Sequence, residues 1–256
     1  MRLFERNRRK TTLTAAGVAF RDNAAAALSQ LDQAIYRARL AANGKLGLLR
    51  IGFISTAGSE IVPNLTRQFR ELNPEVEFSL RAIPTADQVH MLETGSLDVG
   101  LLRLPIGEHS ALDVVTVHRE PFVLVVPASH HLAKRKRVRL SEVLGQEFVM
   151  YERTYAPGFH DLIFGMLRGA GIVPNVSQTA AELSTLISLV DAHLGIAILP
   201  ASAVKHSVAS VFACDIADKI PMSEIAIVVS KQARSAVVDN FRSFALTKLN
   251  RARNAF

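Results

Sequence analysis

Cysteine is nearly missing from this chain. Cys214 is the only one in 256 residues, which excludes an internal disulfide and fits a reducing compartment. No apolar run approaches the roughly 18 residues that a bilayer span requires. The first residues are basic and polar with no apolar core, so no secretory signal is read there. Together these absences predict a cytoplasmic chain with no membrane partner. No low-complexity tract and no period of the solenoid kind is present.

Signatures of catalysis are absent as well. The eight histidines show no metal-ligand spacing with cysteine and no H-E-x-x-H pattern. His130-His131 falls in a polar turn, and His160-Asp161 falls on a helix where adjacent residues do not converge. No G-x-S-x-G, P-loop or G-x-G-x-x-G occurs. Cys214 sits in an apolar strand without a base beside it in sequence and reads as buried filler. The expectation is a protein that is not an enzyme and needs neither metal nor cofactor.

What is present is a soluble composition, 49% apolar and 21% charged, able to bury a core and long enough for two modest domains or one with an appendage. The net charge is +7, concentrated at Arg2, Arg6, Arg8, Arg9 and Lys10 and again over residues 134–139. Such clusters either track phosphates or stand as solvated loops.

The stretch that organises the chain runs from Gly47 to Ala57. Leu48 to Ile54 has the length and flanks of a buried strand. Ser55, Thr56, Ala57, Gly58 and Ser59 follow, small residues able to cap a helix carrying Ile61, Leu65, Phe69 and Leu72. A strand that stops where a helix begins leaves free backbone N–H groups and partial positive charge at one point, which suits a carboxylate.

Upstream, Thr14 reads as an N-cap, because the next thirty residues lack proline and are rich in alanine. Along them Ala24, Leu28, Leu31, Ile35, Ala38 and Ala42 recur at spacings alternating four and three, and Phe20 extends the stripe. That is a heptad seam. It must be buried either on its own domain or, the sharper reading, against the same helix of a second chain. Asn43-Gly44 ends the helix.

Downstream, strands and helices alternate, which implies parallel sheets flanked by helices. Strands are predicted over 76–82, 97–102, 114–117, 122–126, 147–151, 176–180, 196–199, 208–213 and 225–229. Helices are predicted over 85–92, 157–170, 182–192 and 235–249, with a short one at 141–144. Two rounds of this order give two similar α/β lobes, with strands 122–127 and 225–229 carrying the chain out of the first lobe and back. Ligands of such proteins bind between the lobes at the strand ends, and closure about the connections is the expected motion.

These residues resemble a family. Arg2 to Lys10, followed by Leu13-Thr14-Ala15-Ala16-Gly17, is similar to the wing of the LysR-type transcriptional regulators, R-L-F-x-R then x-L-T-x-A-G. G-x-L-x-x-L-R-I-G at Gly44 to Gly52, Val62-Pro63, G-S-L-D-V-G-L-L at Gly95 to Leu102, V-L-V-V-P-A-S-H-H-L-A at Val123 to Ala133, and L-V-D-A-H-L-G-I-A-I-L-P-A-S at Leu189 to Ser202 also match, in order, over nearly the whole chain. The resemblance implies a periplasmic-binding-protein type II architecture. On that reading residues 1–14 are the wing remnant, 15–46 the dimerisation helix, 47–124 and 227–256 the first effector-binding lobe, and 125–226 the second. The family carries about forty residues before the wing, including a recognition helix for the major groove; this sequence begins at the end of that motif. The wing's Arg6, Arg8, Arg9 and Lys10 would then touch phosphates, contacts that position without specifying.

Carried over residue by residue, the resemblance places an effector carboxylate at Ser55, Thr56 and Ala57, with Pro84-Thr85 facing the same cleft. Leu102-Arg103 ends the next strand, and Arg103 is suited either to a second carboxylate or to a neighbouring acid. Tyr151, Ala156, Pro157, Gly158 and Phe159 come from the second lobe, with Ile198 and Leu199 as an apolar wall. Ser55 and Thr56 read alternatively as simple helix caps, and Phe159 as core. The stretch around Pro157 resembles the branch that controls breakdown of aromatic compounds, implying an aromatic-acid or muconate type of effector. The implied assembly is a homodimer or homotetramer. A periplasmic-type solute-binding protein is the competing reading.

Overall fold

A computed structural model describes residues 1–7, 10–205, 210–232 and 234–253. At the N-terminus β1 (Phe4–Asn7) and β2 (Lys10–Leu13) form an antiparallel ribbon. Thr14 then accepts a hydrogen bond from the Gly17 N–H on its side-chain oxygen at 2.9 Å and starts α1 (Ala15–Ala42), as its sequence position predicts. Gly17 lies against the chain before it, where a Cβ would stand 2.0 Å from the Leu3 carbonyl. The helix ends at Asn43, and Gly44 takes φ +65°. A side chain there would strike the backbone of Ala236, so only glycine admits this crossing. Between those ends the stripe is not covered by the rest of the chain: Phe20, Leu28, Leu31 and Ile35 are 44–63% exposed.

The first lobe is built from β3 (Leu46–Phe53), α2 (Ser55–Ser59), α3 (Ile61–Leu72), β4 (Glu75–Ala82), α4 (Thr85–Glu93), β5 (Val99–Arg103) and β6 (Leu112–Glu120). The second comprises β7 (Phe122–Pro127), β8 (Arg137–Val138), β9 (Glu147–Tyr151), α5 (Pro157–Gly169), β10 (Asn175–Ala180), α6 (Leu183–Asp191), β11 (Ala197–Pro200), α7 (Ala201–Lys205) and β12 (Val211–Ile216). The chain then returns through β13 (Ser223–Ser230) and closes with α8 (Ala236–Arg253). Residues 208 and 209 of the strand expected over 208–213 lie outside the described residues.

In the first lobe the sheet order is β4-β3-β5-β13-β6. β4, β3 and β5 are parallel, as the alternation predicts, while β13 runs antiparallel to both its neighbours. The second lobe pairs β10 with β9 in parallel, and a bridge between Phe148 and Ile196 leads on to β11-β7-β12-β8. Phe122 pairs with Pro200, so all of β7 belongs to the second lobe; Ser223 pairs with Glu120, so all of β13 belongs to the first. The crossings therefore fall at Pro121 and over residues 217–222, a few residues earlier in each case than the expected boundaries at 124/125 and 226/227. The reason is packing. From Phe122 to Pro127 every residue is buried, as a strand covered on both faces requires.

The first lobe's core shows how the helices are held. Val62, Leu65 and Phe69 of α3 are buried, and the Phe69 ring meets Phe78, Phe241 and Phe244 edge-on at 5.1–6.2 Å. Leu72, expected on that same face, is 63% exposed. There the helix turns into Asn73, whose buried amide donates to the Phe69 carbonyl at 3.0 Å.

Candidate functional site

Three strand or helix ends of the first lobe and three of the second meet at one cleft. From the first come Ile54, Ser55 and Thr56 after β3, Thr85 at the start of α4, and Arg103 at the end of β5; from the second come Tyr151, Ala156, Phe159 and Leu183. The enclosed space is about 20 Å³, room for about one water. Two hydrogen bonds cross it directly. The Ser55 hydroxyl donates to the Glu182 carboxylate, and the Ala86 N–H donates to the Tyr155 carbonyl at 3.1 Å.

The hydroxyls after β3 do not cap a helix as expected. α2 is capped by Ile54 and α3 by Glu60, neither through a side-chain bond. The backbone breaks between the two helices at Glu60, φ −136°, and the hydroxyls are used in the cleft instead: Ser55 reaches across to Glu182, and Thr56 accepts at 2.8 Å from Arg103 of its own lobe.

Arg103 is only 4% exposed and joins most of the site. Its guanidinium donates to Thr56, to Ser223 Oγ, and at 3.5 Å to Glu120, and it lies 5.3 Å from the centre of the Phe159 ring. Its backbone N–H reaches Thr85 Oγ1 at 3.4 Å. Burial pulls the guanidinium below the usual arginine range, and Glu120 opposes that shift. Glu120 also accepts from the Ser202 backbone N–H at 2.6 Å and from its hydroxyl at 2.9 Å. Because Glu120 ends β6 just before the first crossing and Ser223 begins β13 just after the second, Arg103 clamps both crossings. The neighbouring-acid alternative for Arg103 is thus the observed one. Tyr151 lies edge-on to Phe159 at 5.7 Å. Its phenol is pushed up to about 12 by desolvation and then by Glu182, so it stays a neutral donor at ordinary pH.

Several expected residues do not line this cleft. Leu102 is fully buried with Ile83, Val89 and Leu92; adjacent strand residues face opposite sides, so Arg103 alone can point inward. Ala57 is buried in the first lobe's core, and Ile198 and Leu199 in the second's. Pro84 is the N-cap of α4, and Pro157 begins α5. At Gly158 an added Cβ would lie 2.0 Å from the Pro105 carbonyl, so this glycine lets the two lobes approach without touching a ligand space. Ile54, Leu183, Glu182, Glu120 and Ser223 were not anticipated. For Glu182 and Leu183 the signal was available: both stand where a strand ends and a helix begins. Arg8 and Arg9, and the side chains of Arg6 and Lys10, lie outside the described residues.

A wider groove of about 1030 Å³ lies beside the cleft and shares Thr56 with it. We place the site in the smaller cleft because the ends of β3, β5 and β9 converge there around the buried Arg103. Cys214 is buried, its Sγ directed at the Leu132 carbonyl at 3.4 Å and its thiol pushed up by desolvation. Among the described residues no group of three His, Cys, Asp or Glu could hold a metal, and no helix is long and apolar enough to cross a membrane.

Two α/β lobes joined by paired crossings, with a polar cleft between them and a long helix ahead of them whose apolar stripe is exposed, make up the described chain. Residues 42–250 match the model of the LysR substrate binding domain. The chain is 35% identical over 250 residues to the uncharacterized HTH-type transcriptional regulator YnfL of Escherichia coli, covering 97% of this chain and 84% of that one. It superposes on full-length CbnR complexed with its target DNA with a TM-score of 0.81 at 25% identity, over 97% of this chain and 84% of that one. The effector binding domain of QuiR in complex with shikimate shares the fold, with a TM-score of 0.73 at 22% identity over 80% and 98% of the two chains. The chain belongs to the LysR family of transcriptional regulators.

Proposed function

We propose that the cleft takes a small organic carboxylate and that its occupancy sets the angle between the lobes, which α1 transmits to a second copy. The single observation that carries this reading is the convergence of Ser55, Thr56, Thr85 and Tyr151 on one interlobe space beside a buried Arg103. Hydroxyl donors from both lobes favour an acid that is gripped only when the lobes close. Phe159 and Tyr151 offer ring edges and faces, in keeping with an aromatic acid. The same fold in QuiR is found with shikimate. The exposed stripe of α1 supports pairing into a homodimer or a larger assembly. Arg6, Arg8, Arg9 and Lys10 are proposed to contact DNA phosphates, which position the protein without reading sequence. A regulator of this kind works in the cytoplasm.

A thermal-shift panel of aromatic and dicarboxylic acids tests the reading. Stabilisation by one class of acid, abolished by Thr56→Val, is the expected result. Silence from every acid, with a response to a sugar or a simple amine, would remove it.

A further inference from the structure

The charge balance of the cleft narrows the class of acid further. Among the described residues lining the cleft Arg103 is the only cation, and Glu120 already lies 3.5 Å from it, buried with it. At the mouth stands a second carboxylate, Glu182, which receives the Ser55 hydroxyl and among the described residues has no ion-pair partner. The fold fixes its place. Glu182 is the N-cap of α6, where an anion is favoured, and the next residue, Leu183, is buried in the cleft wall. One cation and two anions leave the closed site with an excess negative charge. Its reach inward is visible at Tyr151, whose phenol Glu182 helps hold in the protonated form.

A ligand bearing only carboxylates, seated on Ser55 and Thr56, would put its charge beside Glu182 and take away the hydroxyl that Glu182 now uses. Two carboxylates sharing a site repel, and one is then forced to take up a proton. A ligand with an ammonium beside its carboxylate removes both difficulties. The carboxylate takes the hydroxyls of Ser55 and Thr56, and the ammonium replaces Ser55 as the donor to Glu182, giving an alternating row of charges across the closing lobes. The geometry points to a zwitterionic effector of the amino-acid type, with Glu182 as the residue that selects for the amine. This rests on the proposed carboxylate cleft and adds its substrate class.

Calorimetric titration with matched probes tests it: L-phenylalanine against 3-phenylpropionate, L-aspartate against succinate, and phenethylamine as the amine without an acid. At least one amino acid is expected to bind about tenfold or more tighter than its desamino partner. In Glu182→Gln, an isosteric change at an exposed position, that preference should collapse or reverse, and a melting curve of the unliganded variant reports its folding. Desamino acids binding as well as their amino partners to the unaltered protein would overturn the amine selection while leaving the carboxylate cleft standing. So would a preference that survives in Glu182→Gln. Binding of phenethylamine alone, or of none of the five probes, would overturn it together with the carboxylate reading.

Discussion

Replacing Arg103 by methionine tests whether this arginine ties together the first-lobe ends of the two crossings. Methionine keeps much of the stem's volume but removes the guanidinium from Thr56, Ser223 and Glu120 and from the face of Phe159. Glu120, itself buried, would keep the two Ser202 donors and the His118 ring nitrogen 4.0 Å away, but no guanidinium. Breaking a buried ion pair by removing one partner costs about 3–5 kcal/mol. The long 3.5 Å contact and the surviving Ser202 bonds argue for the lower end, about 3 kcal/mol. At about 2–4 °C per kcal/mol for a chain near this size, the melting temperature should fall by about 6–12 °C. The decisive comparison is Arg103→Met combined with Glu120→Gln. Glutamine can still accept from Ser202 and leaves no bare charge, so the double variant should recover at least half of the loss, as neutral replacement of both partners does elsewhere. Equilibrium urea unfolding followed by circular dichroism measures all three proteins. A single-variant loss below about 1 kcal/mol, or losses that simply add in the double variant, would refute the assignment of Arg103 to the crossings.

Other consequences are measurable. Phe69→Ala empties the centre of the aromatic cluster linking α3, β4 and α8 and should cost about 3–5 kcal/mol in the same urea assay. Thr14→Ala removes the acceptor for the Gly17 N–H; about 1 kcal/mol of cap stability is lost, read as faster hydrogen exchange in the first turn of α1. Leu28→Lys together with Leu31→Lys places charges in the exposed stripe and should turn the assembly monomeric in sedimentation velocity, with the effector-binding lobes still folded. Tyr151 is pushed up to about 12, above the unfolded value near 10. The folded state therefore binds the proton more tightly, and stability falls as pH rises from 10 through 12. Tyr151→Phe should flatten that fall and remove the latest component of the phenolate absorbance titration, while Glu182→Gln should move that component to lower pH.

Much of the fold was legible because it is written in short periods. The helical recurrence of Leu65 and Phe69 and the continuous apolar run of β7 are local patterns that a single sequence displays. The seam of α1 was legible for the same reason, and its exposure in the single chain agrees with the reading that a second copy covers it. The lobe boundaries were harder. Pairing decides them, and nothing within Phe122–Pro127 says whether its partners lie before or after it in the chain. Of the residues carried over from the family resemblance, Ser55, Thr56, Thr85, Arg103, Tyr151 and Phe159 line the space between the lobes. The carry-over reached too far at Leu102, because alternation along a strand sends neighbours to opposite faces.

The residues that escaped notice share a different property. Glu120, Ser223 and Glu182 act on partners 17, 120 and 127 residues away in the chain, and no local pattern marks such a pair. Each sits where the lobes join or meet. Glu120 and Ser223 bracket the crossings, and Glu182 reaches over the cleft. Glu120 is shared between Arg103 of its own lobe and Ser202 of the other, and Glu182 takes the Ser55 hydroxyl from across the cleft, so the chemistry of the cleft and the angle between the lobes are set by the same few contacts. Thr56 accepts from Arg103, and Arg103 grips both crossings. A ligand carboxylate that takes the Thr56 O–H leaves the oxygen still accepting from Arg103, so this hydroxyl joins ligand to clamp and couples binding to the hinge without any longer path through the protein. If that is the coupling, Thr56→Val should weaken ligand binding and also loosen the crossings, seen as faster amide exchange around Pro121 and residues 217–222 in the unliganded protein. Unchanged exchange there, alongside weakened binding, would mean that Thr56 serves the ligand alone.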